Sequence, residues 1–197
     1  ASTNEQRVAS GSNFYYDGGV AGTGNASGAT STDTSVSGYK IEVLSAASGS
    51  LVIPGTGNVT ILAVGGGGSG GSNFGGGAGG GGLIYKATHA VTAQTYDWVR
   101  GAGGAAQTAG TGNNGADSTF GPNGGTVEFT AKGGGGGGAG GGAPPLSNGA
   151  AGGSGGGGGY LTTSLGGSES QTGQSGDSGT YGFGNDGGHG FEGSPFT

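Results

Sequence analysis

Gly176-Asp177-Ser178-Gly179 sets a serine hydroxyl beside a carboxylate in a glycine turn, the local setting of an activated nucleophile. A serine attacks only when a histidine takes its proton and a carboxylate orients that histidine. The sequence holds His89 and His189, and neither stands in a context that suits such a base. In a chain this rich in Gly and Ser the tetrapeptide is expected from composition, so no catalytic residue is assigned and the chain reads as a non-enzyme. Many stretches fit G-x-G-x-x-G, but none opens a helix after a strand, and no phosphate-binding lysine follows a glycine run.

Asp177 and Asp186 stand nine apart, the spacing of calcium-binding nonapeptide rolls. The roll needs an apolar residue two after each aspartate, and those positions are Gly179 and Gly188. Asp186, His189 and Glu192 recur every third residue. On an extended three-fold helix they would share one edge, where they can hold a metal or a sugar hydroxyl. The preferred reading is a hydrated polar edge, so neither metal nor cofactor is expected.

Binding is better served by the aromatics among the glycines. Exposed aromatic faces with nearby hydroxyls and amides grip sugars and receptor proteins. Glycine offers no side chain to cover a ring. Tyr160, Leu161, Tyr181, Phe183, His189 and Phe191 are the candidate receptor-binding residues. The alternative is that these rings plug the ends or sides of the fold, as aromatics dominate any small core. Trp98 and Phe129, on strand-like stretches, are expected in the core.

The elements that must position these residues are unusual. Glycine supplies 60 of 197 residues, in blocks at 65–68, 75–77, 79–82, 133–138, 140–142 and 155–159. Fixing a residue's backbone costs about 1–2 kcal/mol, most for glycine. With no side chain to bury, the compensation is main-chain hydrogen bonding, about 0.5–1.5 kcal/mol net per bond. Ordered glycine runs therefore need almost every N–H and C=O paired. Glycine weakens a β-sheet interior. Packed three-fold extended helices, the glycine counterpart of polyproline II, can bond to one another, because only glycine lets the backbones approach. Collagen is excluded by 5 prolines and no Gly-X-Y period. The expectation is a polyglycine-II-type bundle, with Gly66, Gly76, Gly80, Gly135, Gly136, Gly141 and Gly157 as structural glycines. Valine at Gly136 or Gly157 should then be severely destabilising.

Composition narrows the rest. Hydrophobic residues make up 29% and charged residues 8%, so the side-chain core is small. A net charge of -6 with only 5 Lys and Arg argues against nucleic acid and anionic membranes as partners. No apolar run approaches the ~20 residues that span a bilayer, so membrane insertion is not expected. Cysteine is absent. Methionine is absent too, and the chain opens at Ala1, as expected where the initiator has been removed or the sequence is processed or excerpted; no signal peptide is visible. Two sequons, at Asn25 and Asn58, matter only on a glycosylating route.

Along the chain, residues 1–38 read as a Ser/Thr/Gly-rich arm or linker whose Phe14-Tyr15-Tyr16 knot docks on a neighbour. Residues 39–197 form a glycine-rich domain, β-rich over 39–132 and built of glycine helices and loops over 133–197. Strands are expected at Tyr39–Leu44, Leu51–Ile53, Val59–Val64, Leu83–Lys86, Tyr96–Arg100 and Thr126–Ala131. Helical periodicity is absent. The fold class is all-β: a small sheet or sandwich joined to a glycine-helix bundle.

The order of these pieces carries a resemblance. Val59–Val64 runs into Gly65-Gly66-Gly67-Gly68, and Leu83-Ile84-Tyr85-Lys86 follows the second block. Tyr96–Arg100 precedes Gly101-Ala102-Gly103-Gly104. Then come Asp117-Ser118-Thr119-Phe120-Gly121, Thr126–Ala131 and another glycine block. From Tyr39 onward the chain resembles the glycine-rich domain at the C-terminal ends of many bacteriophage tail fibres. It also resembles the tip adhesins of T-even-type phages, whose polyglycine II bundle displays receptor-binding loops. Similar domains occur in bacterial surface proteins and in an animal receptor kinase. The resemblance implies a fibre or tip domain, on a virion or otherwise extracellular. It would bind a cell-surface glycan or outer-membrane protein and other copies of itself, as a homotrimer or filament. A self-assembling filament or coat subunit, joined through residues 1–38 by strand addition, is the rival reading. An ice-binding protein is a third, disfavoured by irregular inserts and aromatics.

Overall fold

The computed structural model describes residues 14–17, 26–36, 39–141, 144–160, 163–171 and 183–191. Among them there is no helix, and the strands form two antiparallel sheets. The strands are β1 (Phe14–Asp17), β2 (Ser31–Asp33), β3 (Ile41–Leu44), β4 (Ser48–Ile53), β5 (Gly57–Val64), β6 (Leu83–Val91), β7 (Gln94–Val99), β8 (Ser118–Pro122) and β9 (Phe129–Ala131). One sheet has the order β2-β3-β1-β5-β6 and the other β4-β7-β8-β9. The protein is all-β, as its patterning implies.

Alternation decides which faces meet. Val59, Ile61 and Ala63 are buried on one face of β5, with Ile84 and Val91 on β6. Leu51 and Ile53 of β4, Tyr96 and Trp98 of β7, Phe120 of β8, and Phe129 and Ala131 of β9 complete one hydrophobic cluster across both sheets. The Tyr96 and Phe120 rings stack with centroids 5.2 Å apart. Trp98 and Phe129 are core residues, as expected. Gly49 makes room for the indole: a Cβ there would stand 2.7 Å from Trp98 Cζ2.

Three strands lie where the sequence pattern is silent. β8 holds Gly121 and Pro122, poor strand formers, and is recruited because its main chain pairs with both β7 and β9. The strand expected at Thr126–Ala131 shortens to Phe129–Ala131, since residues 123–125 turn and Gly125 N–H donates to Pro122 O at 2.9 Å. The described parts of 1–38 do not stand off as an arm. β1 lies between β3 and β5, pairing antiparallel with both, β2 edges the same sheet, and Ser27 exchanges two hydrogen bonds with Val52. Main-chain groups on the facing edges of β3 and β5 need a partner, and β1 supplies it.

Glu42 is buried on β3. Thr32 Oγ1 donates to its Oε2 at 2.5 Å, and Lys40 Nζ forms an ion pair with Oε1 while also donating to Ala26 O at 3.0 Å. The carboxylate is thus tied to β2 through Thr32 and, through Lys40, to the Ala26 carbonyl.

Candidate functional site: the glycine bundle and its far end

From the sheets the chain shuttles outward and back through laterally bonded segments: g1 (65–72) out, g2 (75–82) back, g3 (101–104) out, g4 (110–117) back. Then come g5 (132–141) out, g6 (146–153) back, g7 (154–160) out, g8 (163–171) back and g9 (183–191) out. The bonds repeat every third residue. From g1, the N–H groups of Gly65, Gly68 and Gly71 donate to Gly82, Gly79 and Gly76 of g2. Those of Gly66, Ser69 and Ser72 donate to Ala116, Asn113 and Gly110 of g4. Segment g5 is the hub. Its Gly134, Gly137 and Gly140 donate to Gly66, Ser69 and Ser72, and Gly135 and Gly138 donate to Ser154 and Gly157 of g7. In return Gly76, Gly79 and Gly82 donate to Gly138, Gly135 and Lys132, and Gly112 and Gly115 donate to Gly137 and Gly134.

Where no main-chain acceptor is in reach, a side chain takes its place. Asn114 Oδ1 and Asp117 Oδ1, three apart, accept from Gly136 and Gly133, each at 2.8 Å. Gln171 Oε1 accepts from Lys132 N–H, Asn148 Oδ1 from Leu165 N–H, and Ser118 Oγ from Gly101 N–H. Asp186 does the same for Glu169 N–H at 2.7 Å. Its carboxylate therefore serves the bundle. Among the described residues no group of His, Cys, Asp and Glu can hold a metal ion. Glu192, Asp177 and Ser178 lie outside the described residues. His89, on β6, reaches Glu128 Oε2 at 2.9 Å and meets Phe129 edge-on, so it belongs to the sheets.

The packing leaves no room for side chains at most glycines. A Cβ at Gly66 would stand 2.1 Å from Ala102 O, at Gly76 2.0 Å from Gly157 O, at Gly135 2.0 Å from Ala150 O, and at Gly136 2.1 Å from Gly112 O. Gly141 turns the chain at φ +74°, a conformation that favours glycine. Gly80 and Gly157 differ: their main chains bond within the bundle, yet a Cβ meets open space at Gly80 and nothing nearer than 3.5 Å at Gly157. The steric reason for glycine at those two positions is therefore missing, and the expectation that Gly157 matches Gly136 is not what the geometry gives.

At the end away from the sheets, the turns bring apolar side chains to the surface. Asn73 and Phe74, joining g1 to g2, adopt φ +53° and +61°. For a bulky residue this is a backbone outlier, and Phe74 is 84% exposed. Its ring lies 6.3 Å from that of Tyr160, whose N–H donates to Phe74 O at 3.2 Å. Tyr160 is 47% and Phe191 68% exposed. Gly158 donates to Gly188 and Gly190 to Ser164, so Tyr160, His189 and Phe191 lie toward one end. Leu146 and Leu165 are exposed on segments leaving that end. Phe183 stands at the other end, where its carbonyl accepts from Leu83 N–H. Leu161 and Tyr181 lie outside the described residues. Sequence reading missed Phe74, a single phenylalanine between glycine blocks.

Fold and site define a class: an all-β protein whose sheets carry a glycine bundle bonded through its backbone. The family model described as glycine-rich domain matches residues 44–197, and the chain belongs to that family. No curated protein and no solved structure matches it.

Proposed function

We propose that this chain is a structural, non-catalytic fibre or tip domain that presents a recognition surface for a cell-surface glycan or outer-membrane protein. The observation that carries the reading is Phe74. A strained, left-handed backbone costs about 1–3 kcal/mol, and here it holds a phenylalanine out into solvent beside Tyr160. Burial would favour the opposite placement, so the strain has a use in binding. The every-third-residue bonding supports polyglycine-II-type helices as a stiff platform under this surface. The resemblance to phage tail fibres favours a virion or other extracellular setting.

The test is adsorption of purified protein to candidate host cells. Phe74→Ala and Tyr160→Ala should each reduce binding by about ten- to a hundredfold, as loss of an aromatic anchor commonly does. Their melting temperatures should stay at the wild-type value. Full adsorption by both variants would remove the recognition reading.

A second reading, an extracellular filament or coat subunit joined through its N-terminal segment, is favoured by one observation. Among the described residues the strand nearest the N-terminus, β1, fills a slot between two strands of the sheet.

A further inference from the structure

We propose that β1 is exchanged between copies: the Phe14–Asp17 strand of one molecule occupies the β3/β5 slot of the next, so copies join head to tail. This rests on the filament reading above and names its joint.

The slot is defined by backbone alone. β3 and β5 make no pairs with each other; each pairs antiparallel with β1, so the two run parallel on either side of it. Phe14–Asp17 pairs with Ile41–Leu44 on one side, and Tyr15, Tyr16 and Asp17 pair with Leu62, Ile61 and Thr60 on the other. With β1 gone, two sheet edges face each other one strand-width apart, an acceptor for a single extended segment. A second copy's β1 is the occupant that fits every pair already present, so exchange keeps all the bonds of the closed form.

The connection allows it. From Asp17 to Ala26 the chain has nine steps, a reach of about 30 Å. After it, Ser27 bonds Val52 on β4, in the opposite sheet. Asp17 pairs with Ile41, and Lys40 beside it donates to Ala26 O, so the two ends lie within about 20 Å of each other. The excess spans to a copy lying against this face. Half of residues 18–25 are glycine, which offers no steric bar to re-routing. Each copy donates one strand and accepts one: a reciprocal pair closes as a dimer, and serial one-way exchange, the form the filament reading needs, adds copies head to tail. The tethered strand competes at a millimolar effective concentration, so exchange rises with protein concentration.

The chain has no cysteine, which makes cross-linking clean. Two full-length proteins, one with Tyr15→Cys and one with Val43→Cys, are mixed from about 10 μM to about 1 mM, the range that brackets a short tether, and oxidised. A second mixture uses Tyr15→Cys with Leu62→Cys. We expect disulfide-linked heterodimers in both mixtures, position 15 joined to position 43 in the first and to position 62 in the second, rising with concentration. The double variant Tyr15→Cys/Val43→Cys, oxidised while dilute to lock the strand in its own sheet, should form no filaments under the electron microscope until reduced. Absence of heterodimers in both mixtures overturns the exchange. So do filaments grown from the locked protein, which would leave the filament reading standing with another joint. Wild-type protein that stays monomeric at the highest concentration removes exchange and filament together, leaving the recognition surface untouched.

Discussion

Glycine does two different jobs in this chain, and the difference is visible one residue at a time. At Gly136 a Cβ would sit 2.1 Å from Gly112 O, a backbone atom that cannot swing away. At Gly80 it meets open space, and at Gly157 only ordinary contact distances. Gly136→Ala should therefore cost several kcal/mol, because separating g5 from g4 breaks bonds made by both, each worth about 0.5–1.5 kcal/mol net and more where a buried group is left unpaired. Gly80→Ala and Gly157→Ala should leave stability unchanged or raise it by about 0.4–1 kcal/mol, since alanine restricts the unfolded chain. Denaturant melts of the three variants check this. Equal destabilisation at all three would mean that glycine is required for something other than close approach.

At the scale of elements, the bundle is finished by polar side chains that stand in for missing strands of carbonyls. Gly136 is buried and its N–H has Asn114 Oδ1 as acceptor. Asn114→Ala should cost about 1–3 kcal/mol, the penalty of an orphaned buried donor, while Asn114→Asp keeps that acceptor, loses only the exposed amide bond to Ala151 O, and should retain most of the stability. Chemical denaturation separates the two; an alanine variant as stable as wild type would show that water replaces the amide. The same elements show what a sequence can and cannot disclose. Val59–Val64 and Tyr96–Val99 announce themselves because alternating apolar residues must bury one face. β1 and β8 do not, because Phe14–Asp17 is four residues long and Ser118–Pro122 holds a glycine and a proline. The pairing partners of β1, at residues 41–44 and 60–62, are distant in sequence. The three-residue rhythm that drew attention to Asp186, His189 and Glu192 also runs through Asn114 and Asp117, where it caps g5. Phe74 left no trace: asparagine favours the left-handed region that Asn73 adopts, but a phenylalanine does not, so nothing in the pair encodes two such residues in a row.

For the whole molecule, sheets and bundle make one body with two differently built interiors. Side chains such as Leu51 and Trp98 fill the first, and the second is almost all backbone. The apolar side chains exposed at the bundle's far end lie away from the β1 slot, so recognition and joining to a neighbour can act without obstructing each other. The central claim is that the glycine runs are interior structure rather than linker. Amide hydrogen exchange tests it most directly, because an opened amide exchanges at a rate set by the free energy of exposing it. The amides of residues 134–138, at the hub of the bundle, should exchange in the slowest class together with those of β5 and β7, opening only when the molecule unfolds. Exchange of 134–138 at open-chain rates, while β5 and β7 stay protected, would contradict the account.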